Sequence, residues 1–431
     1  MTELDAPDMS SPDLTTRGIG PETAPPGMTR VALISMHTSP LAQPGVGDSG
    51  GMNVYVRELA GSLARAGVDT RVYVRADSQC DPGRRLLEPG LEVVHLPVGP
   101  ARAAKEELPG LIDGFADAVG TDIERLGGVS ALHANYWLSG VAAHRLKHDL
   151  GVPLVSTFHT LARVKHRLGD REPGDRADAE AQIIGCSDVI CASNPVEAAD
   201  LRELYDAPKE RIELVSPGVD RAFFSPGDRR GARRALDLDD RPVSLFVGRI
   251  QPLKGLLVAV EALVRSRHRD SLLLVVGGPS GTDGAVEFDR VTARIEDLGL
   301  GDRVRIVAPQ PHHSLSTYYR AADVCLVPSR SESFGLVALE AAACGTPVIA
   351  TAVGGLRSLV EHGRTGLLVP DRDPSHWADA LDHLFDEPAL RASMGVAGAA
   401  LAGRFNWSTT AARLRRLYAD LTASRELVAC S

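Results

Sequence analysis

The chain predicts an α/β protein of two doubly wound domains facing a cleft. Three observations carry this. At 431 residues it exceeds what one hydrophobic core holds, so two domains of roughly 200 residues are expected. Short runs rich in Val, Leu and Ile alternate with segments of helical period through both halves, the pattern of parallel strands buried on both faces. A stretch rich in Pro, Gly and charge, PGVDRAFFSPGDRRGARRALDLDDRP (about 217–242), then separates the halves as a linker would.

Residues 1–28 are acidic and rich in Pro, Ser and Thr, without the basic-plus-apolar pattern of a targeting signal, and are expected to be a disordered tail. The first domain, 29–216, opens with the strand VALIS. A loop dense in glycine follows (Pro44, Gly45, Gly47, Asp48, Ser49, Gly50, Gly51), then a helical segment ending at Gly67 and the strand VDTRVYVRA. Strand, glycine loop, helix and strand in that order open a Rossmann-like unit. Backbone N–H groups at the helix start are aimed where a ligand would sit. LEVVHLPVG and GVSALHANYWLSG add strands, the latter ending at Tyr136 and Trp137. GVPLVSTFHT carries His159 and Thr160 at its carboxyl end, Lys165 follows, and Arg176 lies in the polar stretch after it. SDVICAS and RIELVS complete the set.

The second domain, 243–403, reads as a second Rossmann-like set: VSLFVGRIQPLKG, SLLLVVGG, RVRIVAPQ, DVCLVPS, PVIAT and TGLLV. Residues 404–431 form a C-terminal helix and tail, the helix FNWSTTAARLRRLYADL capped by Asn406 or Ser408.

Bulk properties narrow the function. Aromatics make up 4% of the chain and the net charge is −9, so neither a stacking platform for nucleic acid nor attraction to an anionic membrane is expected. No apolar run reaches membrane-spanning length. The six cysteines (Cys80, Cys186, Cys191, Cys325, Cys344, Cys430) form no CxxC pair and mostly sit in apolar runs, which reads as reduced, buried thiols in a cytoplasmic protein with no metal cage.

The chemistry concentrates in Ser331–Val353, SESFGLVALEAAACGTPVIATAV. Glu332 and Glu340 are eight residues apart, which on one helix falls about 80° short of register. Glu332 is therefore expected on the loop entering a helix and Glu340 inside it. Ser333 and Gly335 supply the helix N-terminus, and Gly345 and Pro347 end it. A carboxylate in so apolar a helix needs a polar partner, for which ribose hydroxyls would serve. A capped surface helix with one satisfied glutamate is the plainer alternative. Arg249 and Lys254, in GRIQPLKG at the carboxyl end of a strand, would clamp a diphosphate. His37, His133 and His159 each end or follow a strand; one would serve the cleft, the rest being structural. No HExxH or Walker A motif occurs. GVGDSG (45–50) and GDSGG (47–51) carry the letters of GxGxxG and GxSxG, but they begin about ten residues after the strand VALIS. The dinucleotide turn and the nucleophile elbow follow their strand directly, which speaks against an NAD-dependent dehydrogenase and a serine hydrolase.

Together GRIQPLKG and PSRSESFGLVALEAAACGTPVIATAVGG resemble the nucleotide-sugar half of the retaining family 4 glycosyltransferases of GT-B fold, whose signature pair is matched by Glu332 and Glu340. The resemblance spans about residues 29–421. HTSPLAQPGVGDSGGMNVYV, NYWLSG, HTLARVK and SPGVD are similar to the branch that moves N-acetylglucosamine from UDP-GlcNAc to 1D-myo-inositol 3-phosphate in mycothiol biosynthesis. It implies that His37 and Asp48, Ser49, Gly50, Gly51, Met52 and Asn53 face the acceptor. Lys105, Tyr136, Thr160 and Arg176 would hold its phosphate. Gln43, Pro44 and Gly51 would touch the donor, Arg249 and Lys254 its diphosphate, Gln310 the uracil, and Glu332 and Glu340 the sugar and ribose. His159 would orient the sugar. No cofactor is expected to be tightly bound. Mg²⁺, held by groups of Tyr319, Arg320, Ala322 and Thr346, is a candidate, as is a homodimer.

Three departures fall in the acceptor half: Glu106 follows Lys105, Ala134 replaces a histidine in HANYW, and the strand before Thr160 reads VSTFHT. The expected activity is thus retaining transfer from a UDP-sugar to a phosphorylated polyol. Alternatives are a sibling using GDP-mannose, UDP-glucose, another sugar phosphate or a lipid-linked acceptor, and a non-catalytic nucleotide-sugar binder. The intact quartet Arg249, Lys254, Glu332 and Glu340 speaks against the last.

Overall fold

In the computed structural model, residues 29–169, 172, 174–281, 283–424 and 427–430 are described. The expectation for residues 1–28 lies outside them. The first sheet has eight strands: β1 (Arg30–Ile34), β2 (Asp69–Arg75), β3 (Gly83–Glu88), β4 (Leu91–Leu96), β5 (Ala131–Asn135), β6 (Leu154–Thr157), β7 (Val189–Ala192) and β8 (Ile212–Leu214). Their order is β3-β4-β2-β1-β5-β6-β7-β8. Every residue of β1 and β2 is buried because helices cover both faces of a parallel sheet. The hairpin partner β3 (GRRLLE) is absent from the sequence reading. It is antiparallel, charged and exposed along its length, so it carries no apolar run to betray it.

The second sheet has six parallel strands: β9 (Val243–Val247), β10 (Leu272–Val276), β11 (Val304–Val307), β12 (Val324–Val327), β13 (Val348–Thr351) and β14 (Gly366–Val369), ordered β11-β10-β9-β12-β13-β14. Each sheet reverses its strand order beside its first strand, between β1 and β5 and between β9 and β12. In doubly wound sheets ligands bind outside the carboxyl ends of strands at that reversal. Those ends carry the glycine loop, Tyr136, Arg249 and Ser329–Glu332.

The segment 217–242 is more ordered than its composition suggests. It holds the helix Arg229–Ala235, whose Arg233 pairs with the buried Asp323 at 2.8 Å beside β12. The C-terminal helix Trp407–Ser424 crosses back onto the first domain, burying Trp407, Ala411, Leu414 and Tyr418 with Val31, Leu33 and Leu59. Asn406 caps it, accepting from Ser408 N at 2.8 Å.

The expectation that all six cysteines are separate buried thiols with no metal cage is corrected at one point. Cys80, Cys191, Cys325 and Cys344 are buried and free, but Cys430 is exposed and its sulfur meets that of Cys186, 244 residues away in the chain. Both belong to a cluster with His144 and His148. Among the described residues no helix is long and apolar enough to cross a membrane.

Candidate active site

The helix Leu336–Ala343 begins at Gly335, whose φ of 102° requires glycine, and ends before Gly345. Glu332 sits on the preceding loop and Glu340 inside the helix, as expected. The loop is fixed from both sides. Gly355 N donates to the Glu332 carbonyl at 2.9 Å, and Asn194 Nδ2 from the first domain donates to the Ser333 carbonyl at 2.6 Å. Ser333 Oγ donates in turn to the His159 carbonyl, so this loop is an interdomain tie.

Lys254 Nζ pairs with Glu332 Oε2 at 2.6 Å, and Ser329 Oγ donates to the same oxygen at 3.3 Å. Arg249 lies against Gly50, where a Cβ would approach Arg249 Nε to 3.1 Å; any side chain there would push the guanidinium aside. Burial pulls Arg249 below its ordinary value, with Asp48 and Glu332 opposing, and among the described residues it has no hydrogen-bonded carboxylate. A desolvated cation short of an anion is a ready seat for one. Gln43 Nε2 donates to the Gln310 carbonyl at 2.5 Å and Ser280 Oγ to that of Gly47, so the glycine loop spans both domains. Between them lies a cavity of about 290 Å³, lined by Pro44, Gly51, Arg249, Lys254, Gln310, Glu332 and Glu340, with Gly50, Met52, His159 and Thr160 opposite.

Glu340 has partners the sequence reading did not foresee. His312 Nε2 bonds its Oε1 at 2.7 Å and the buried Tyr319 hydroxyl donates to Oε2 at 2.9 Å. Burial disfavours a charged His312, but the Glu340 carboxylate outweighs it and raises the imidazole above its ordinary value. The helix therefore satisfies its carboxylate without a ligand. His312, in the loop after β11, is a cleft residue (PQPHH) signalled by nothing but its place after a strand.

Several residues expected at the acceptor bond to one another within the first domain. Asn53 is buried: its Nδ2 donates to Thr38 Oγ1 at 2.6 Å and the Ser39 carbonyl at 2.7 Å, and its Oδ1 accepts from Gly50 N at 2.8 Å. Ser49 is buried beside Thr38 at 3.4 Å. Both shape the loop. Arg176 is 0% exposed and bonded on every side: to Glu180 at 2.8 Å, to Glu172, and to the Thr160 carbonyl and hydroxyl at 2.8 and 2.9 Å. Its guanidinium also lies over the Tyr136 ring, 4.9 Å from the centroid. It holds Thr160 and Tyr136 in place. Lys105 is exposed at the start of a 3-10 turn, close enough to His37 to lower its pKa, and Asp48 is exposed on the loop.

The histidines divide. His133 is fully buried between Tyr418 Oη (2.6 Å) and Thr157 Oγ1 (2.8 Å), and burial takes it down to about 3; it is structural. His159 lines the cavity with φ 61°, its Nε2 3.0 Å from Asn135 Oδ1, and burial likewise takes it to about 3. It stays neutral, Nε2 donating and Nδ1 left as an acceptor. His37 stacks on Tyr136 at 4.6 Å. Its Nδ1 is buried without a partner, and burial, then Lys105 and other cations, takes it to about 3. Tyr136 (φ 76°) and His159 are non-glycine residues with positive φ at adjacent strand ends, strain of order 1–3 kcal/mol each of a kind that gathers at functional sites.

The Mg²⁺ set lies behind Glu340, outside the cavity lining. Tyr319, Arg320 and Ala322 offer main-chain carbonyls where the helix Leu315–Ala321 ends. Thr346 Oγ1 donates to the Tyr319 carbonyl at 2.7 Å. Carbonyls at the negative end of a helix suit a hard cation, but the Tyr319 carbonyl is already taken by Thr346 Oγ1 and Ala322 N, and the set has no carboxylate.

Residues 50–218 match the glycosyl transferase 4-like domain and residues 228–400 the glycosyl transferases group 1 family. A sucrose-phosphate synthase from Thermosynechococcus elongatus superposes over 92% of this chain and 100% of its own, with a TM-score of 0.87 and 35% identity. Anabaena HepE, solved in complex with UDP and glucose, covers 91% and 100% with a TM-score of 0.74; at 19% identity it shows the fold alone. Two doubly wound domains, a glycine loop and a cationic cleft thus define a glycosyltransferase of GT-B fold. The chain is 45% identical to the D-inositol 3-phosphate glycosyltransferase of Streptosporangium roseum over 92% of this chain and 94% of that one. It is 46% identical to that of Frankia alni over 89% and 97%. The chain belongs to the D-inositol 3-phosphate glycosyltransferase family.

Proposed function

We propose that the chain transfers N-acetylglucosamine, with retention, from UDP-GlcNAc to 1D-myo-inositol 3-phosphate, a step of mycothiol biosynthesis. The observation that carries the reading is the Arg249 guanidinium, packed against Gly50 beside the Lys254–Glu332 pair, where the glycine loop meets the second domain. The donor diphosphate takes Arg249 and draws Lys254 from Glu332, and both cations neutralise the charge that grows as the sugar bond breaks. Glu332, released, accepts sugar hydroxyls. Gln310 and the loop main chain hold the uracil, and Glu340 meets the ribose while His312 and Tyr319 hold its carboxylate in orientation. His159 Nδ1 accepts from the sugar. The acceptor hydroxyl attacks the face the diphosphate leaves, and its proton passes to the departing phosphate oxygen, so no side chain forms a bond to the sugar. Lys105, with Thr160 and Tyr136 set by Arg176, receives the acceptor phosphate. A Mg²⁺ ion on Tyr319, Arg320, Ala322 and Thr346 would brace the Tyr319–Glu340 contact from behind.

The test is release of UDP from UDP-GlcNAc with inositol 3-phosphate, unphosphorylated inositol and a panel of sugar phosphates, the product anomer read by NMR. Turnover confined to the inositol phosphate, with an α-linked product, is expected. The 35% identity to a sucrose-phosphate synthase favours one second reading, another sugar-phosphate acceptor on the same donor site. Turnover with a different sugar phosphate alone would select it.

A further inference from the structure

Far from the cleft, four soft or borderline ligands converge from three parts of the chain. His144 and His148 lie four apart on the helix Trp137–Leu150, hence on one face, with ring centroids 5.2 Å apart. Cys186 is the last residue of the helix Arg176–Cys186. Cys430 arrives from the tail beyond Trp407–Ser424. Both imidazoles turn the same atom toward the same sulfur: His144 Nε2 is 3.3 Å and His148 Nε2 3.0 Å from Cys430 Sγ. All four ligand atoms lie within 4.8 Å of one another. The tail is held there by a separate contact. Val428 N donates to Asp188 Oδ1 at 2.7 Å, while Asp188 Oδ2 takes the buried Lys147 Nζ at 2.8 Å and Leu154 N at 2.7 Å.

We propose that His144, His148, Cys186 and Cys430 form a closed, tetrahedral site for a zinc-class divalent cation that latches the C-terminal tail onto the first domain. Bond lengths of about 2.3 Å to sulfur and 2.0 Å to nitrogen give a tetrahedron with edges of roughly 3.3–3.8 Å. That is near the 3.3 and 3.0 Å separations of the two imidazoles from Cys430 Sγ, while the two sulfurs lie at bonding distance and would part to admit an ion. Two thiolates and two imidazoles are the donor set zinc prefers, and a set with no open position is structural rather than catalytic. The Cα separation of 4.9 Å between Cys186 and Cys430 also admits a disulfide. What a disulfide does not require is two imidazole nitrogens one helical turn apart aimed at its sulfur. On binding, the ion displaces the two thiol protons to solvent and no electron moves. None of the four residues lines the cleft, so the latch acts on the fold: it fixes the segment that follows the crossover helix Trp407–Ser424.

The test uses the full chain, purified without an immobilised-metal step or chelator. Elemental analysis is expected to give about one zinc per chain. Under denaturing, chelating, non-reducing conditions all six cysteines should react as thiols. Cobalt in place of zinc should give the thiolate charge-transfer and tetrahedral d–d bands. C430S and H148A should each lose the metal and lower the thermal midpoint, as a chelator should for the parent, while UDP affinity stays unchanged. A metal-free chain with four reactive thiols and an intact mass lower by two hydrogens overturns the proposal in favour of a disulfide. Zinc retained in full by C430S overturns it as adventitious binding. Because the cobalt spectrum is read on the unaltered protein, a variant that fails to fold does not shield the idea.

Discussion

The two walls of the cleft treat their charges in opposite ways. On the second domain the cations are accessible or lightly held: Arg249 lacks a bonded carboxylate among the described residues, and Lys254 has one exchangeable partner, Glu332. On the first domain the polar residues are consumed by one another: Arg176 by Glu172, Glu180 and Thr160, Asn53 by Thr38, Ser39 and Gly50, and His133 by Tyr418 and Thr157. The donor wall is built to exchange partners with a polyanion. The acceptor wall is built to be rigid, presenting few groups at fixed positions, which is where selectivity for one alcohol over another is gained.

Replacing Arg249 and Lys254 together by alanine breaks the comparison most directly. A loss of about a thousandfold or more in kcat/KM is expected, with little change in the urea midpoint, because loss of electrostatic stabilisation at a leaving group is worth several kcal/mol. Turnover that survives the double change would mean the donor wall is not a clamp. Arg176→Ala should do the reverse. It strands the fully buried Glu180, so denaturation should show a loss of about 3–5 kcal/mol. A variant of undiminished stability would mean that Arg176 is held loosely enough to reach a ligand after all.

The buried histidines sharpen the contrast through pH. His133 lies near 3 in the folded protein and at its ordinary 6.5 when unfolded, so below 6.5 the unfolded chain binds the extra proton. The stability that depends on His133 staying neutral is complete above 6.5. It is lost by about 1.4 kcal/mol per pH unit as pH falls from there toward 3. Denaturation midpoints between pH 7 and 5 should fall steeply, and His133→Gln should flatten that slope while lowering stability at pH 7. For the same reason neither His37 nor His159 should contribute a limb to the rate profile near neutrality. The smallest effect belongs to Lys105→Ala, expected to raise KM for the phosphorylated acceptor about tenfold and leave both stability and donor KM alone. A change in donor KM instead would move Lys105 to the other wall.

Much of the donor wall was legible because its signals are local. A strand, its carboxyl-end Arg249 and Lys254, and the helix start at Ser333–Gly335 all lie within short windows. The eight-residue spacing, with Ser333 and Gly335 between, pointed to Glu332 on the loop and Glu340 inside the helix. Parallel strands announced themselves by short runs rich in Val, Leu and Ile, whereas β3, antiparallel, exposed and charged, did not. The internal bonding of the acceptor wall at Asn53, Ser49 and Arg176 was not legible, for one reason. Polar residues near a loop look alike in sequence whether they face a ligand or one another, and the difference is made by partners such as Thr38, Glu180 and Thr160 that lie 14–16 residues or only one helical turn away.

The sequence by itself determined the two α/β domains, the class of the donor site and the seats of its cations, because periodicity and strand-end position are properties of contiguous residues. Tertiary structure alone decided that Glu340 is answered by His312 and Tyr319, that the last helix returns to the first domain, and that Cys430 meets Cys186 and two histidines. Each of those contacts closes a long loop of chain, and which loops close is settled by how the whole core packs rather than by any segment's own preference.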